Sequence, residues 1–101
     1  MRALAFSTAL IVLTASSGMA AGTKTFFKPQ HGNLPVDFCL YWSKACGQPS
    51  ADRFCRVRGF EGSVKYTKVA TGATRVQGTG QVCSGGDCAS FISITCYEYG
   101  L

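Results

Sequence analysis

Histidine is almost missing from this 101-residue chain, with His31 the only one. A hydrolytic triad needs a nucleophile, a base and an orienting acid. His31 sits in a Gly-Asn-Pro segment and reads as a loop residue, so that constellation lacks its base. Carboxylates are also scarce: Asp37, Asp52, Glu61, Asp87 and Glu98 complete the set. A glycosidase needs two of them flanking one bond. Here Asp52 reads as a charge in the first turn of a helix and Asp87 as a turn former. There is no Cys-x-x-Cys pair, so a zinc site lacks its usual ligand spacing. No phosphate-binding Gly-rich motif is present, and the glycines read as turn residues. Free thiols are not expected either, because the six cysteines form an even set. The reading is therefore no catalytic residue, no metal, no cofactor and no enzyme.

What the chain does have begins with an address. Met1 and Arg2 give a short positive start, Ala3 to Thr14 is apolar, and Ser16 to Ala20 are small. Gly18 and Ala20 fit a signal-peptidase site, so residues 1–20 read as a signal peptide, with Ala21 the neighbouring choice. The apolar run is too short for a membrane span, which needs about 20 residues. No second such run follows, so no transmembrane span is expected after signal removal. The expected location is secreted or periplasmic. Removing residues 1–20 leaves 81 residues, and losing Arg2 lowers the formal charge from +5 to +4. This is a small basic protein whose core alone gives marginal stability.

Export decides how the cysteines read. Cys39, Cys46, Cys55, Cys83, Cys88 and Cys96 in an oxidising compartment imply three disulfides. Six cysteines allow fifteen pairings. Cys83 and Cys88 flank a Ser-Gly-Gly-Asp turn that brings them together. Cys55 with Cys96 would tie a helix to the last strand, which leaves Cys39 with Cys46. Other pairings remain open at this point.

The organisation expected is a flexible N-terminal arm over 21–34 and a disulfide-stapled domain over 35–101. Phe26 and Phe27 are candidates to anchor the arm. Val36 to Ala45 is too densely apolar to show either period, and a short helix or an extended segment both fit. A helix is expected from about Pro49 to Arg58. Proline and Ser50 favour its start and Gly59 its stop, and Ala51, Phe54 and Cys55 make its buried face. Ser63–Ala70 reads as a strand and Thr71–Ala73 as a turn. Thr74–Gln77 and Gln81–Cys83 read as short strands around Gly78-Thr79-Gly80. Ala89–Tyr99 is the best strand. Strict alternation would place Ile92, Ile94 and Cys96 inward, with Phe91, Tyr97 and Tyr99 on the other face. The fold class is α+β: a small disulfide-rich domain with one helix packed on a three- to four-stranded antiparallel sheet.

Two sets of residues are candidates for binding. Arg53, Arg56, Arg58, Lys65 and Lys68 are close in sequence and offer a basic face for an anionic ligand. Export and the modest charge argue against nucleic acid. Tyr41, Trp42, Phe91, Tyr97 and Tyr99 offer flat apolar rings with polar edges, suited to stacking on sugars or a protein partner.

Several of these residues also carry a resemblance. Cys46-Gly47, Ala51-Asp52-x-Phe54-Cys55, Gly59-Phe60, Gly80-x-x-Cys83, Cys88-x-x-Phe91 and Ile94-x-Cys96 resemble a group of small exported Cys-rich proteins of bacteria and plants. The resemblance spans roughly residues 36–96 and implies a fold and export, not a chemistry. Phe-Cys-Arg-x-x-Gly-Phe is also similar to the helix of scavenger-receptor cysteine-rich domains, although this chain is shorter and its wider cysteine pattern departs from theirs. The function expected is a secreted non-enzymatic binding module for carbohydrate or envelope polymer. A secreted protein-interaction factor (inhibitor, effector or small toxin) and a structural envelope protein are the alternatives.

Overall fold

The computed structural model describes residues 20–99. The expected signal peptide, residues 1–20, lies outside them save for Ala20. The described elements are β1 (Ala20–Phe27), β2 (Gln30–His31), β3 (Leu34–Pro35), β4 (Cys39–Tyr41), β5 (Lys44–Cys46), α1 (Gln48–Arg56), β6 (Gly62–Ala70), β7 (Thr74–Arg75), β8 (Val82–Cys83) and β9 (Ala89–Tyr99). A three-stranded antiparallel sheet has the order β1-β9-β6. The pairs β2–β3, β4–β5 and β7–β8 form separate two-stranded sheets. The class is α+β, as expected, with more of the chain in small hairpins. Among the described residues no helix is long and apolar enough to cross a membrane.

The first correction concerns residues 21–34. The segment expected to be a flexible arm supplies edge strand β1 and the β2–β3 hairpin. Its period of two was hidden by polar composition. Lys24 and Phe26 register with Cys96 and Ile94 on the core face, while Thr25 faces Thr95 and their hydroxyls are 2.8 Å apart. Phe26 anchors the strand edge-on against Phe54 and Phe60, at 5.3 and 5.9 Å between ring centroids. Phe27 does not, being 72% exposed.

Helix α1 begins slightly earlier than expected, at Gln48, after Gly47 with φ 79°. A Cβ at Gly47 would meet the Tyr66 hydroxyl at 2.8 Å, so glycine is needed twice over. Ser50 does not cap the helix. It is buried, and its hydroxyl donates to the Asp37 carbonyl at 2.8 Å. Gly59, at φ 92°, ends the helix, and the Phe60 N–H closes back on the Cys55 carbonyl at 3.1 Å. Ala51, Phe54 and Cys55 are buried, as the spacing predicted.

Asp52 is not a first-turn charge. Its Oδ1 accepts from the Ser63 N–H, the Ser63 hydroxyl and the Gln48 amide, each at 2.8 Å, and so ties α1 to β6. Burial alone would raise this carboxyl. The bonds from Ser63 and Gln48, with Arg56 nearby, outweigh it and hold the group below the ordinary aspartate value.

Val36, Ala51, Phe54, Cys55, Phe91, Ile94 and Cys96 form the core between helix and sheet. The Cys55–Cys96 disulfide lies inside it, with both residues fully buried. The other bridges are Cys39–Cys46 and Cys83–Cys88, which is the pairing considered first above. The ambiguous stretch Val36–Ala45 becomes the β4–β5 hairpin, in which Cys39 directly faces Cys46. Thr74 and Arg75 pair with Cys83 and Val82, as the turn glycines suggested.

The second correction lies in β9. Thr67 pairs with Ser93 and Lys68 with Phe91, so Ile92 is an extra residue, a β-bulge. One inserted residue reverses the alternation beyond it. Phe91 is therefore core, 2% exposed, although expected beside Tyr97 and Tyr99 on an outer face. Ile92, expected inward, is 45% exposed.

Candidate functional site

One buried carboxylate joins the start of β4 to β7. Asp37 accepts from the Cys39 N–H at 2.9 Å with one oxygen and from the Thr74 hydroxyl with the other. Its own N–H donates to the Arg75 carbonyl at 2.9 Å. Gln77 donates to the Ser50 carbonyl at 2.8 Å and adds a further tie from the β7–β8 side to the helix. Networks with this degree of satisfaction are rigid. The β4–β5 and β7–β8 hairpins are thus held in fixed relation above the sheet.

Between them lies a cleft of about 370 Å³. Phe38, Val76 and Ala89 line it, with Cys39, Cys46, Trp42 and Ser43 from β4–β5 and its turn. Cys83 and Asp87 come from the disulfide-closed loop, and Lys68 comes from β6. The Lys68 ammonium stands over the Phe38 ring at 4.8 Å from its centroid. The lining therefore combines an indole, a benzyl ring and disulfide sulfur with one cation, one hydroxyl and two carboxylates, those of Asp87 and the hydrogen-bonded Asp37. Largely preformed clefts with a few polar groups among apolar ones are the common form of small-ligand sites.

The hairpin tip is held under strain. Tyr41 faces Lys44, which leaves Trp42-Ser43 as the connection. Ser43 and Ala45 sit at φ 58° and 55°, the left-handed region that costs a non-glycine residue about 1–2 kcal/mol. The Cys39–Cys46 bridge and the Gly47 N–H to Phe38 carbonyl bond, 2.8 Å, keep them there. Trp42 is carried at this tip, 49% exposed.

The five aromatic candidates do not form one surface. Trp42 alone lines the cleft. Tyr41 ends β4 and packs against the Gly78 turn, where a Cβ at Gly78 would be 2.5 Å from its ring and 2.6 Å from the Leu40 carbonyl. Phe91 is in the core against Phe38 and Tyr66, at 5.1 and 5.6 Å. Tyr97 and Tyr99 pack edge-to-face at 5.5 Å at the far end of β9. The neighbouring Tyr99 phenol is the leading cause that raises the Tyr97 phenol above its ordinary value, with desolvation and the nearby Asp52 and Glu61 adding to it. Tyr97 pairs with Gly62 and Phe91 with Lys68, so the two ends of β6 are on the order of 20 Å apart at ~3.3 Å per residue.

The basic candidates also separate. Arg58 stacks on Phe54 at 3.6 Å and donates to the Phe54 and Gln30 carbonyls, at 3.1 and 3.2 Å. Arg56 donates to the Glu61 carbonyl at 3.1 Å and lies 4.0 Å from Asp52, while Arg53 is exposed on the helix. Lys65 registers with Thr95 on the outer sheet face, and Lys68 is at the cleft. Among the described residues no group of three or more His, Cys, Asp or Glu is placed to hold a metal ion.

Phe38, Val76 and Asp87 were not read as site residues. Only the turn character of Ser84–Asp87 pointed toward the loop that carries Asp87. The chain matches no protein-family model, no curated protein and no solved structure. It is a small Cys-rich domain with three disulfides.

Proposed function

We propose that this chain is a secreted, non-enzymatic binding module, and that the cleft beside Trp42 takes a carbohydrate unit. The observation that carries the reading is a rigidly held, half-exposed indole beside Lys68, Ser43 and Asp87 in one cleft. A sugar ring has apolar C–H faces that stack on an aromatic ring. Its hydroxyls accept from an ammonium and donate to a carboxylate, which is the polar complement present here. The disulfides support export to an oxidising compartment.

Trp42 is the only tryptophan in the chain, so its fluorescence reports on this cleft without interference. Titration with neutral and acidic oligosaccharides should change its emission saturably. Trp42→Ala should abolish binding, followed by calorimetry, while leaving the fold intact. Binding undiminished in that variant would overturn the placement.

A second reading has its own observation. Ser84, Gly85, Gly86 and Asp87 are all exposed in a loop closed by Cys83–Cys88. Such a preorganised loop suits a secreted protein-interaction factor.

A further inference from the structure

A second groove, of about 250 Å³, opens at the other side of Phe91, between the β2–β3 hairpin and the ends of β6 and β9. Pro35, Val69, Ala70 and Ile92 give it an apolar lining, with Gln30 and Thr71 at its polar positions. Three irregular features converge on it. Lys28 adopts φ 50°, held by its N–H donating to the Ile92 carbonyl at 2.8 Å. Ile92 is the bulged residue of β9, turned outward and 45% exposed. Ser90 is 2% exposed, and its buried hydroxyl has no hydrogen-bond partner among the described residues.

Each feature carries a local energetic cost. Left-handed non-glycine residues and bulges concentrate at functional sites. An unpaired buried hydroxyl is rare in native proteins and calls for a reason. Lys28 is the only charged side chain among the lining residues. The groove thus offers apolar walls and one cation, with no opposing carboxylate, over an unused donor buried beneath its surface.

We propose that this groove binds a small apolar carboxylate, the chain or ring against Ile92, Val69 and Pro35 and the carboxylate on Lys28 and Ser90. The Ser90 hydroxyl is closed to water in the unliganded arrangement, so the head group reaches it by displacing an adjacent lining side chain. The volume is slightly below the ~300–1,000 Å³ common for drug-sized ligands, which fits a short chain or a single ring.

The test is an amide NMR titration of the disulfide-bonded domain with octanoate, run beside octylamine and octanol. Octanoate should shift the amides of Lys28, Ser90 and Ile92 saturably. Octanol should bind more weakly and octylamine not at all. Ser90→Ala should weaken octanoate about tenfold, as losing one hydrogen bond to a charged group typically does. Lys28→Gln, at an exposed position, should weaken it severalfold while leaving the spectrum otherwise intact. Equal binding of octanoate and octylamine, affinity unchanged in both variants, or no shifts with octanoate would each overturn the proposal. The readout is separate from Trp42, so failure here leaves the carbohydrate reading standing.

Discussion

Removing the Cys55–Cys96 bridge, as the double variant Cys55→Ala/Cys96→Ala, should cost far more than removing either other disulfide. Its two cysteines are 41 positions apart, against 7 for Cys39–Cys46 and 5 for Cys83–Cys88. In the chain-entropy model those loops correspond to about 4, 2.5 and 2 kcal/mol respectively. Both Cys55 and Cys96 are fully buried, so losing their sulfurs adds roughly 1–2 kcal/mol of lost burial and cavity. The sum, about 5–6 kcal/mol, is comparable with the whole stability of a domain this size, since native proteins hold only roughly 0.05–0.15 kcal/mol per residue. The double variant should therefore be largely unfolded without denaturant. Cys83→Ala/Cys88→Ala should keep a cooperative urea transition at a lower midpoint. Circular dichroism during urea titration reads both. Equal midpoints for the two variants would refute the idea that the buried long-range bridge dominates.

Other perturbations follow from single contacts. Gly78→Ala should destabilise by about 1–3 kcal/mol, because its Cβ would fall 2.5 Å from the Tyr41 ring and 2.6 Å from the Leu40 carbonyl; an unchanged melting temperature would show that the two hairpins are not held together. Asp52 has a folded pKa below its unfolded value, so its contribution is complete above about pH 4 and is lost as pH falls through the lower folded value. Asp52→Asn should accordingly be less stable than the parent at pH 7 by about 1–2 kcal/mol, with the gap closing toward pH 2 in urea titrations at both values; a constant gap would contradict the charge-based account. Tyr99→Phe should bring the Tyr97 titration, followed by ultraviolet difference absorbance, back down toward the ordinary phenol value, since the Tyr99 hydroxyl is the leading cause of the rise.

Local signals in the sequence spoke for themselves wherever one residue sufficed. Gly59 ends the helix, Gly78–Gly80 turn the β7–β8 hairpin, and the i, i+3, i+4 set Ala51, Phe54, Cys55 is the buried stripe. Of the pairings the sequence leaves open, the one present is favoured by Ser84–Asp87 as a turn and by Cys55 and Cys96 each falling on an inward face. Strand β1 gives no clear alternation because Thr23 and Thr25 carry outward positions while a lysine and one phenylalanine, Lys24 and Phe26, carry inward ones. Phe91 was misplaced because a bulge leaves no composition signature, and strict alternation then assigns every residue before it to the wrong face.

The cleft was the least readable feature. Phe38, Lys68, Val76 and Asp87 come from four separate segments and meet only in the folded chain, through contacts such as Lys68 over Phe38 and the bonds of Asp37 to Thr74 and Arg75. The sequence offers Trp42 as a candidate in the company of other aromatics. The structure pairs it with charges and disulfides instead.

The most direct test of the binding reading is an amide NMR map of the oxidised domain against a panel of neutral and acidic oligosaccharides. The account predicts saturable shifts centred on Phe38, Trp42, Ser43, Lys68 and Asp87, with Tyr97 and Tyr99 unmoved. Shifts centred on Tyr97 and Tyr99, or none with any saccharide, would contradict it.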